Sequence, residues 1–234
     1  MTVEGRAVEG GVDALLSTLG HDLRSPLNAI IGFSDLLRLE LPGPLNEAQR
    51  HGVAEIRAAG DAMLRMTDAL VDLARVEVGA VQVEVAPVSL GSFLDEIRTS
   101  FQPMAAERGL TLGVDASGPD RCQTDAGLLA RILSHLVRNG ISATGSGGVT
   151  IRAEEHPGGQ VRIEVVDTGP GISEHDRAML FRPFDRSASD LPRQGTGLGL
   201  FVSRRLADLL GAELTMETEI GRGSTFGIVV PGGR

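Results

Sequence analysis

A regular spacing of apolar residues near the start of the chain constrains its fold more than any other feature. Residues of one stripe recur at alternating intervals of three and four: Leu16, Leu19, Leu23, Pro26, Ile30, Phe33 and Leu37. This heptad spacing predicts a helix with one apolar face, which Pro26 should kink. A second stripe of the same kind follows at Val53, Ile56, Gly60, Met63, Thr67, Leu70 and Ala74. Between the stripes, residues 41–46 should end the first helix, and Asn46 can cap the second.

The two stripes predict an antiparallel helical hairpin over residues 13–79, preceded by a loose lead-in of about a dozen residues. Two isolated helices of this length cannot bury both stripes against each other. Pairing of two hairpins into a four-helix bundle would bury them, so we expect a homodimer.

The pattern changes after residue 79 to mixed helices and strands, with residues 80–87 as a linker and 88–234 as a second domain. Alternating apolar residues predict strands at 81–85, 110–114, 149–153, 161–166, 213–217 and 225–230. Helices are predicted at 89–108 (capped by Ser89), 125–143 and 197–210. The fold class is therefore α+β: a helical hairpin that dimerises, followed by a domain with antiparallel strands in its later part.

Composition excludes several functions. The 22 basic residues are all arginine and the net charge is −9, which argues against nucleic-acid binding. A single cysteine, Cys122, excludes an intrachain disulfide. No apolar run approaches the roughly 20 residues needed to cross a bilayer, so we expect a cytoplasmic chain without a membrane span.

One histidine stands out on the first helix. His21 falls at position f of the heptad, opposite the stripe, where an imidazole is exposed to solvent and available as a nucleophile. Asp22 is adjacent and can orient the ring or accept its proton, and Ser25 lies one turn further on the same face. An exposed histidine without a role would look the same in isolation.

Polar groups in the second domain are arranged for a nucleotide. Asp167 ends a predicted strand and is followed by Gly169 and Gly171, so a carboxylate acceptor for an exocyclic amine stands beside a backbone that a ligand can approach closely. Asn139, on the preceding helix, offers an amide oxygen that can take one place around Mg²⁺.

A second glycine-rich segment opens the last predicted helix. Gly195, Gly197 and Gly199 leave backbone N–H groups and a helix dipole that suit a phosphate chain. Before it, Phe181 and Phe184 bound a polar stretch that contains Arg186 and Arg193, which is typical of a lid over an anionic ligand.

In this order, the features resemble the sensor histidine kinases of two-component systems over about residues 13–230. The segment 20–27 resembles their phosphoacceptor box, Asn139 the second asparagine of their asparagine box, and the Asp167 and Gly195 segments their two glycine boxes. The resemblance implies a dimerisation and phosphotransfer hairpin joined to an α/β-sandwich ATP-binding domain of the Bergerat (GHKL) type. It implies that the catalytic residues are His21, Asp22 and Ser25. It implies that the nucleotide is bound by His135, Asn139, Asp167, Gly169, Gly171, Arg186, Gly195, Thr196, Gly197, Leu198 and Gly199, with Asn139 also holding the metal.

The function implied is autophosphorylation of His21 from ATP and Mg²⁺, followed by transfer to an aspartate of a response-regulator receiver domain. Four positions depart from the family pattern. His135 stands where an asparagine is usual and Ser142 where a lysine is common, while Gly140 replaces a common alanine and Arg182 a frequent acidic residue. Two other interpretations therefore remain open. The chain could be a histidine phosphotransfer scaffold with a degenerate nucleotide site, or a Bergerat ATPase that is not a kinase and uses His135 as a general base.

Overall fold

A computed structural model describes residues 3–115, 117–183 and 197–232. The chain divides into two compact units, with the division between Val81 and Gln82. Each unit has its own interior, and the two are described separately.

The first unit is a hairpin of two long helices. Helix α1 spans Val3–Arg38 and helix α2 spans Glu47–Glu77. The predicted cap of α2 is confirmed: Asn46 accepts the Gln49 N–H at 2.9 Å, and the Gln49 side chain accepts the Asn46 N–H at 2.9 Å. The prediction of a loose lead-in is wrong, because α1 already begins at Val3. Extending an existing helix needs no new nucleus, which offsets the roughly 1 kcal/mol that each early glycine costs.

Small residues bring the two helices of the hairpin close together. A Cβ added to Gly20 would lie 3.3 Å from Val71 Cγ2, and one added to Gly60 would lie 3.0 Å from Ile31 Cγ1. Both glycines are buried, so each helix packs its backbone against a side chain of the other. The interhelical contact therefore leaves little free space at these two levels.

The heptad stripe of α1 faces away from this interior. Exposed apolar side chains lie along one face of the hairpin: Leu19, Leu23, Ile30, Phe33 and Leu37 from α1, and Ile56, Met63 and Leu70 from α2. Phe33 keeps 67% of its surface exposed. The hairpin alone thus leaves its stripe uncovered, as expected of half a bundle.

The second unit is a two-layer α/β sandwich. Its five-stranded sheet has the order β2-β4-β5-β7-β6, in which β2 and β4 are parallel and the other neighbours antiparallel. The five strands are β2 (Thr111–Asp115), β4 (Gly148–His156), β5 (Gln160–Asp167), β6 (Glu213–Glu219) and β7 (Gly223–Pro231). Two further strands, β1 (Ala86–Ser89) and β3 (Arg121–Thr124), form a separate antiparallel pair. The helices are α3 (Leu90–Glu107), α4 (Ala126–Ala143), α5 (Glu174–Arg177) and α6 (Gly199–Leu210).

The core lies between the helices and one face of the sheet. Inward residues alternate along β5, where Val161, Ile163 and Val165 are buried and Asp167 continues the same face. Helix α4 contacts β4 and β5, α3 contacts β4, and α6 contacts α4 and β6. The predicted sandwich is confirmed, with α3, α4 and α6 forming its helical layer.

Two local predictions are wrong. Residues 81–85 do not form a strand, because the Glu84 N–H donates to Asp125 Oδ2 at 2.9 Å instead of to a neighbouring strand. Ser89 occupies the N-cap position of α3, but its side chain makes no capping hydrogen bond there. Instead, its carbonyl accepts from Ser92 Oγ at 3.2 Å.

Within the three described ranges, none of the helices is both long and apolar enough to span a bilayer.

Candidate functional site

His21 lies on the outer surface of α1 with 82% of its side chain exposed. Its Nδ1 is 3.5 Å from Asp22 Oδ1, at the outer limit of a hydrogen bond. A carboxylate on this side favours the tautomer with the proton on Nδ1, which leaves Nε2 as the nucleophilic nitrogen. Ser25 is also exposed, one turn further along α1.

The part of helix α1 around His21 is packed against helix α2. Gly20 is buried against Val71, and Arg24 Nε donates to Asp68 Oδ1 at 2.6 Å, which ties α1 to α2. Helix α1 therefore contacts α2 both immediately before His21 and about one turn after it.

Asp167 lies buried at the end of β5; the region bounded by its turn, α4 and the start of α6 is called the cleft below. It is only 5% exposed, and its Oδ1 accepts the Gly169 N–H at 2.9 Å and the Ser224 N–H at 3.2 Å. These two donors hold the carboxylate in one orientation and compensate for part of its burial. Ser224 could not be found from local sequence patterns, because it lies 57 residues away on β7.

The glycines after Asp167 are required by close packing. A Cβ on Gly169 would lie 2.8 Å from Asp167 Oδ1. Gly171 has φ +73°, and a Cβ there would collide with the Glu219 carbonyl. The turn is also tied to the β6–β7 hairpin, because the Gly221 N–H donates to the Pro170 carbonyl at 2.8 Å.

Thr168 joins this turn to the loop after α4. Its Oγ1 donates to the Ser146 carbonyl at 3.1 Å and accepts the Gly148 N–H at 3.1 Å. The glycine-rich loop at 145–148 is thereby held next to the Asp167 turn. Sequence reasoning did not single out Thr168.

Helix α4 forms the shared wall of the cleft. Gly140 packs on the Asp167 turn, since a Cβ there would lie 3.5 Å from Asp167 Cβ. One turn earlier on α4, His135 lies against the start of α6: a Cβ on Gly199 would be 3.4 Å from His135 Nδ1. The two contacts are five residues apart, about 7.5 Å along the helix. Around the helix axis the two contacts are about 140° apart, and the half-buried Asn139 projects between these two directions.

The start of α6 is only partly described. Gly197 has φ +70°, and Leu198 is fully buried at the N-cap position before Gly199. The predicted residues Arg186, Gly195 and Thr196 lie outside the described residues, as do Phe184 and Arg193 of the proposed lid. Phe181 is described, with the Arg204 guanidinium 5.5 Å from its ring centre.

The cleft has the functional groups for a nucleotide. A fixed carboxylate can accept a hydrogen bond from an amine, and the first turn of a helix such as α6 has backbone N–H groups without a carbonyl partner inside the helix. In the described part of the chain, no group of three or more His, Cys, Asp or Glu residues could hold a metal ion. A cation bound at Asn139 would therefore need most of its ligands from phosphates and water, as Mg²⁺ ordinarily does.

Two domain families match the chain. Residues 12–79 match the His Kinase A (phospho-acceptor) domain, and residues 124–234 match the family described as histidine kinase-, DNA gyrase B-, and HSP90-like ATPase. The first match contains His21, and the second contains Asn139, Asp167 and the start of α6.

Proteins of similar sequence are histidine kinases by name. The chain is 31% identical to the circadian input-output histidine kinase CikA of Synechococcus elongatus over 97% of its length, but spans 31% of CikA. It is 33% identical to the signal transduction histidine-protein kinase BarA of Escherichia coli over 90% of its length, and spans 24% of BarA. The crystal structure of full-length ShkA in complex with AMPPNP matches with a TM-score of 0.69 and 32% identity, covering 93% of this chain and 45% of ShkA.

Proposed function

This chain belongs to the sensor histidine kinases of two-component systems, and we propose that it transfers the γ-phosphoryl group of ATP to His21. The observation that carries the proposal is the exposed His21 imidazole beside Asp22, in a chain whose second unit holds a nucleotide-type cleft around Asp167. ShkA, a structural relative, has been crystallised with the ATP analogue AMPPNP.

The residues of the hairpin perform the chemistry. Nε2 of His21 attacks the γ-phosphorus, the N–P bond forms as the bond to the β-phosphate oxygen breaks, and ADP leaves. Asp22 keeps the proton on Nδ1 and stabilises the positive charge that develops on the ring. Ser25 orients a water molecule when the chain acts on a phosphorylated partner.

The second unit binds and orients the nucleotide. Asp167 accepts from the exocyclic amine of adenine through the carboxylate oxygen that does not bind Gly169 and Ser224. The backbone at Gly197, Leu198 and Gly199 donates to the phosphates, and Asn139 contributes an amide oxygen to Mg²⁺. Bound Mg²⁺ supplies charge neutralisation on the phosphates. Arg186, Gly195 and Thr196 belong to the same proposed site.

The proposed acceptor of the phosphoryl group is an aspartate on a response-regulator receiver domain, as the membership of a two-component family implies. Because the chain spans about a quarter to a third of its relatives CikA and BarA, the sensory input is not part of this proposal.

A test of autophosphorylation uses ATP radiolabelled at the γ-phosphorus with the wild type and the His21→Gln variant. We expect acid-labile, base-stable label on the wild type and none on His21→Gln. His51, an exposed histidine near the start of α2, provides the matched control: His51→Gln should keep the label. Label on His21→Gln at the wild-type level would refute the assignment.

The two alternatives give different results in the same assay. A phosphotransfer scaffold would take no label from ATP and would show no affinity for Mg²⁺–AMPPNP by calorimetry. An ATPase that is not a kinase would release phosphate steadily without labelled protein.

We also propose that two copies of the hairpin pair through the uncovered stripe into a four-helix bundle. Eight exposed apolar side chains on one face support this pairing, because a monomer would leave them in water. The variant Ile30→Glu/Phe33→Glu places two charges on the stripe and should run as a monomer in light scattering. Leu41→Glu, on an equally exposed apolar residue after α1, is the control and should remain dimeric. An unchanged mass for the double variant would contradict the proposed interface.

A further inference from the structure

The start of the second unit is tied to the helix that carries Asn139. Asp125, the N-cap residue of α4, accepts the Leu128 N–H through Oδ1 at 3.0 Å and the Glu84 N–H through Oδ2 at 2.9 Å. Glu84 itself lies outside any helix or strand. One half-buried carboxylate therefore serves both as a helix cap and as an anchor for the incoming chain.

The chain is also attached at the end of the hairpin. Helix α2 closes with hydrogen bonds from the Gly79 N–H to the Val76 carbonyl at 3.1 Å and from the Ala80 N–H to the Arg75 carbonyl at 3.0 Å. Gly79 has φ +68°, so this end is a Schellman C-cap. Residues 81–83, called the connector below, separate this cap from the anchored residue of the second unit.

The Asp125 anchor shortens the connection between the two units. From Ala80 to Glu84 the chain makes four residue steps, which span at most about 14 Å. Without the anchor, the next fixed residue is Ala86, which pairs with Thr124 where β1 meets β3. The six steps from Ala80 to Ala86 would span about 21 Å. The anchor thus removes two residues from the connection.

The connector leaves the hairpin close to the level of His21. Gly20 packs against Val71, and α2 ends six residues after Val71, which is about 9 Å along the helix. The effective concentration of a tethered group at a target within reach falls as the tether lengthens. A connection that begins this close to His21 therefore gains from being short.

We propose that Asp125 is a positioning residue for phosphoryl transfer: by anchoring Glu84, it limits the connector to three residues and keeps the bound nucleotide near His21. The inference rests on the proposed transfer to His21 and adds to it a residue that acts through the chain between the two units. Loss of the anchor should therefore slow the transfer and leave nucleotide affinity unchanged.

The variant Asp125→Asn separates the anchor from the helix cap. Its carbonyl oxygen can still accept the Leu128 N–H, but its NH₂ group then meets the Glu84 N–H, and two donors face each other. Amide hydrogen exchange followed by NMR checks this change. We expect the Glu84 amide to exchange slowly in the wild type and fast in the variant, with Leu128 protected in both. Fast exchange of Glu84 in the wild type would overturn the inference, whatever the kinase activity.

Rates of phosphoryl transfer test what the anchor does. Initial rates of His21 labelling are measured over a range of ATP concentrations with Mg²⁺ present. Five connecting residues in place of three should lower the effective concentration about twofold or more, because it falls with roughly the −3/2 power of tether length. We expect the maximal rate of Asp125→Asn to fall by this factor, with an unchanged KM for ATP. Glu164→Gln, which disrupts buried ion pairs on β5, controls for lost stability and should keep the maximal rate.

A shortened connector distinguishes positioning from a structural role. Deleting Gln82 and Val83 from Asp125→Asn leaves three connecting residues again, namely Val81, Glu84 and Val85. We expect this deletion to restore most of the wild-type rate, whereas damage to a helix cap would not be repaired by a deletion elsewhere in the chain.

The outcomes separate this inference from the proposed function. An unchanged or higher maximal rate in Asp125→Asn would overturn the inference while the proposed function stands. A raised KM with an unchanged maximal rate, or no recovery on deletion, would do the same. If the wild type takes no label on His21, the proposed function and the inference both fail.

Discussion

The orientation of the Asp167 carboxylate gives a prediction that separates nucleotide binding from stability. Asp167→Asn keeps a carbonyl oxygen, which must stay at the Oδ1 position because the Gly169 and Ser224 N–H groups donate there. The amide NH₂ group then replaces the second carboxylate oxygen, so the adenine amine meets a donor instead of an acceptor.

The expected loss of nucleotide affinity follows from the replacement of this one carboxylate oxygen by an NH₂ group. A hydrogen bond to a charged acceptor contributes about 1.5–3 kcal/mol, and every 1.4 kcal/mol is a factor of ten in affinity. Asp167→Asn should therefore bind Mg²⁺–AMPPNP about 10- to 100-fold more weakly in calorimetry, with a thermal midpoint close to that of the wild type. Asp167→Ala is a poorer test, because it also removes both backbone contacts and would lower stability.

A control for this prediction lies on the opposite face of the same strand. Glu164 is 2% exposed and forms ion pairs of 2.7 Å with Arg152 and Arg162. Glu164→Gln should lower the melting temperature, since it leaves two arginines without their buried partner charge, but leave AMPPNP affinity unchanged. Wild-type affinity in Asp167→Asn would refute the assignment of this carboxylate to the adenine.

Two further perturbations test the frame of the second unit. Gly171→Ala puts a Cβ against the Glu219 carbonyl. The left-handed φ at this position costs a non-glycine residue about 1–2 kcal/mol even without that collision. We expect a lower melting temperature and weaker AMPPNP binding, and an unchanged melting curve would contradict the described turn. Burial raises the pKa of Asp125, but the N–H donors of Glu84, Leu128 and Gly127 outweigh it and hold this pKa below its ordinary value. The stabilisation is therefore present above about pH 3.9 and is lost as the pH falls through the folded pKa. Melting curves should show Asp125→Asn as less stable than the wild type at pH 6, with a difference that shrinks below pH 4; a constant difference would show that the charge plays no part.

Sequence patterns predicted the helices and caps correctly where each pattern depends on a single short stretch of the chain. The heptad spacing of α1, the Asn46 cap and the exposure of His21 all depend on residues within a turn or two of one another. The same holds for α4, whose Asp125 cap accepts the Leu128 N–H at 3.0 Å. These predictions hold in the folded protein because the residues on which they depend are already neighbours in the unfolded chain.

Features that depend on distant partners were not predictable. The Val81–Val85 alternation resembles a strand, but a strand needs a partner, and the Glu84 backbone is bound by the Asp125 side chain instead. Strand β3 was missed, because its four residues become a strand only by pairing with β1. In the cleft, the sequence indicated Asp167, but only the fold shows that Ser224 orients it.

The absence of a side chain at Gly20 has a consequence for how His21 can be reoriented. Because a Cβ at position 20, immediately before His21, would lie only 3.3 Å from Val71 Cγ2, α1 and α2 are closely packed at this level. A rotation of α1 about its own axis at this level would therefore bring its side chains against Val71 of α2. Alanine at position 20 would need the Val71 methyl group to move by a few tenths of an ångström, and a bulkier side chain would need more room than this contact leaves.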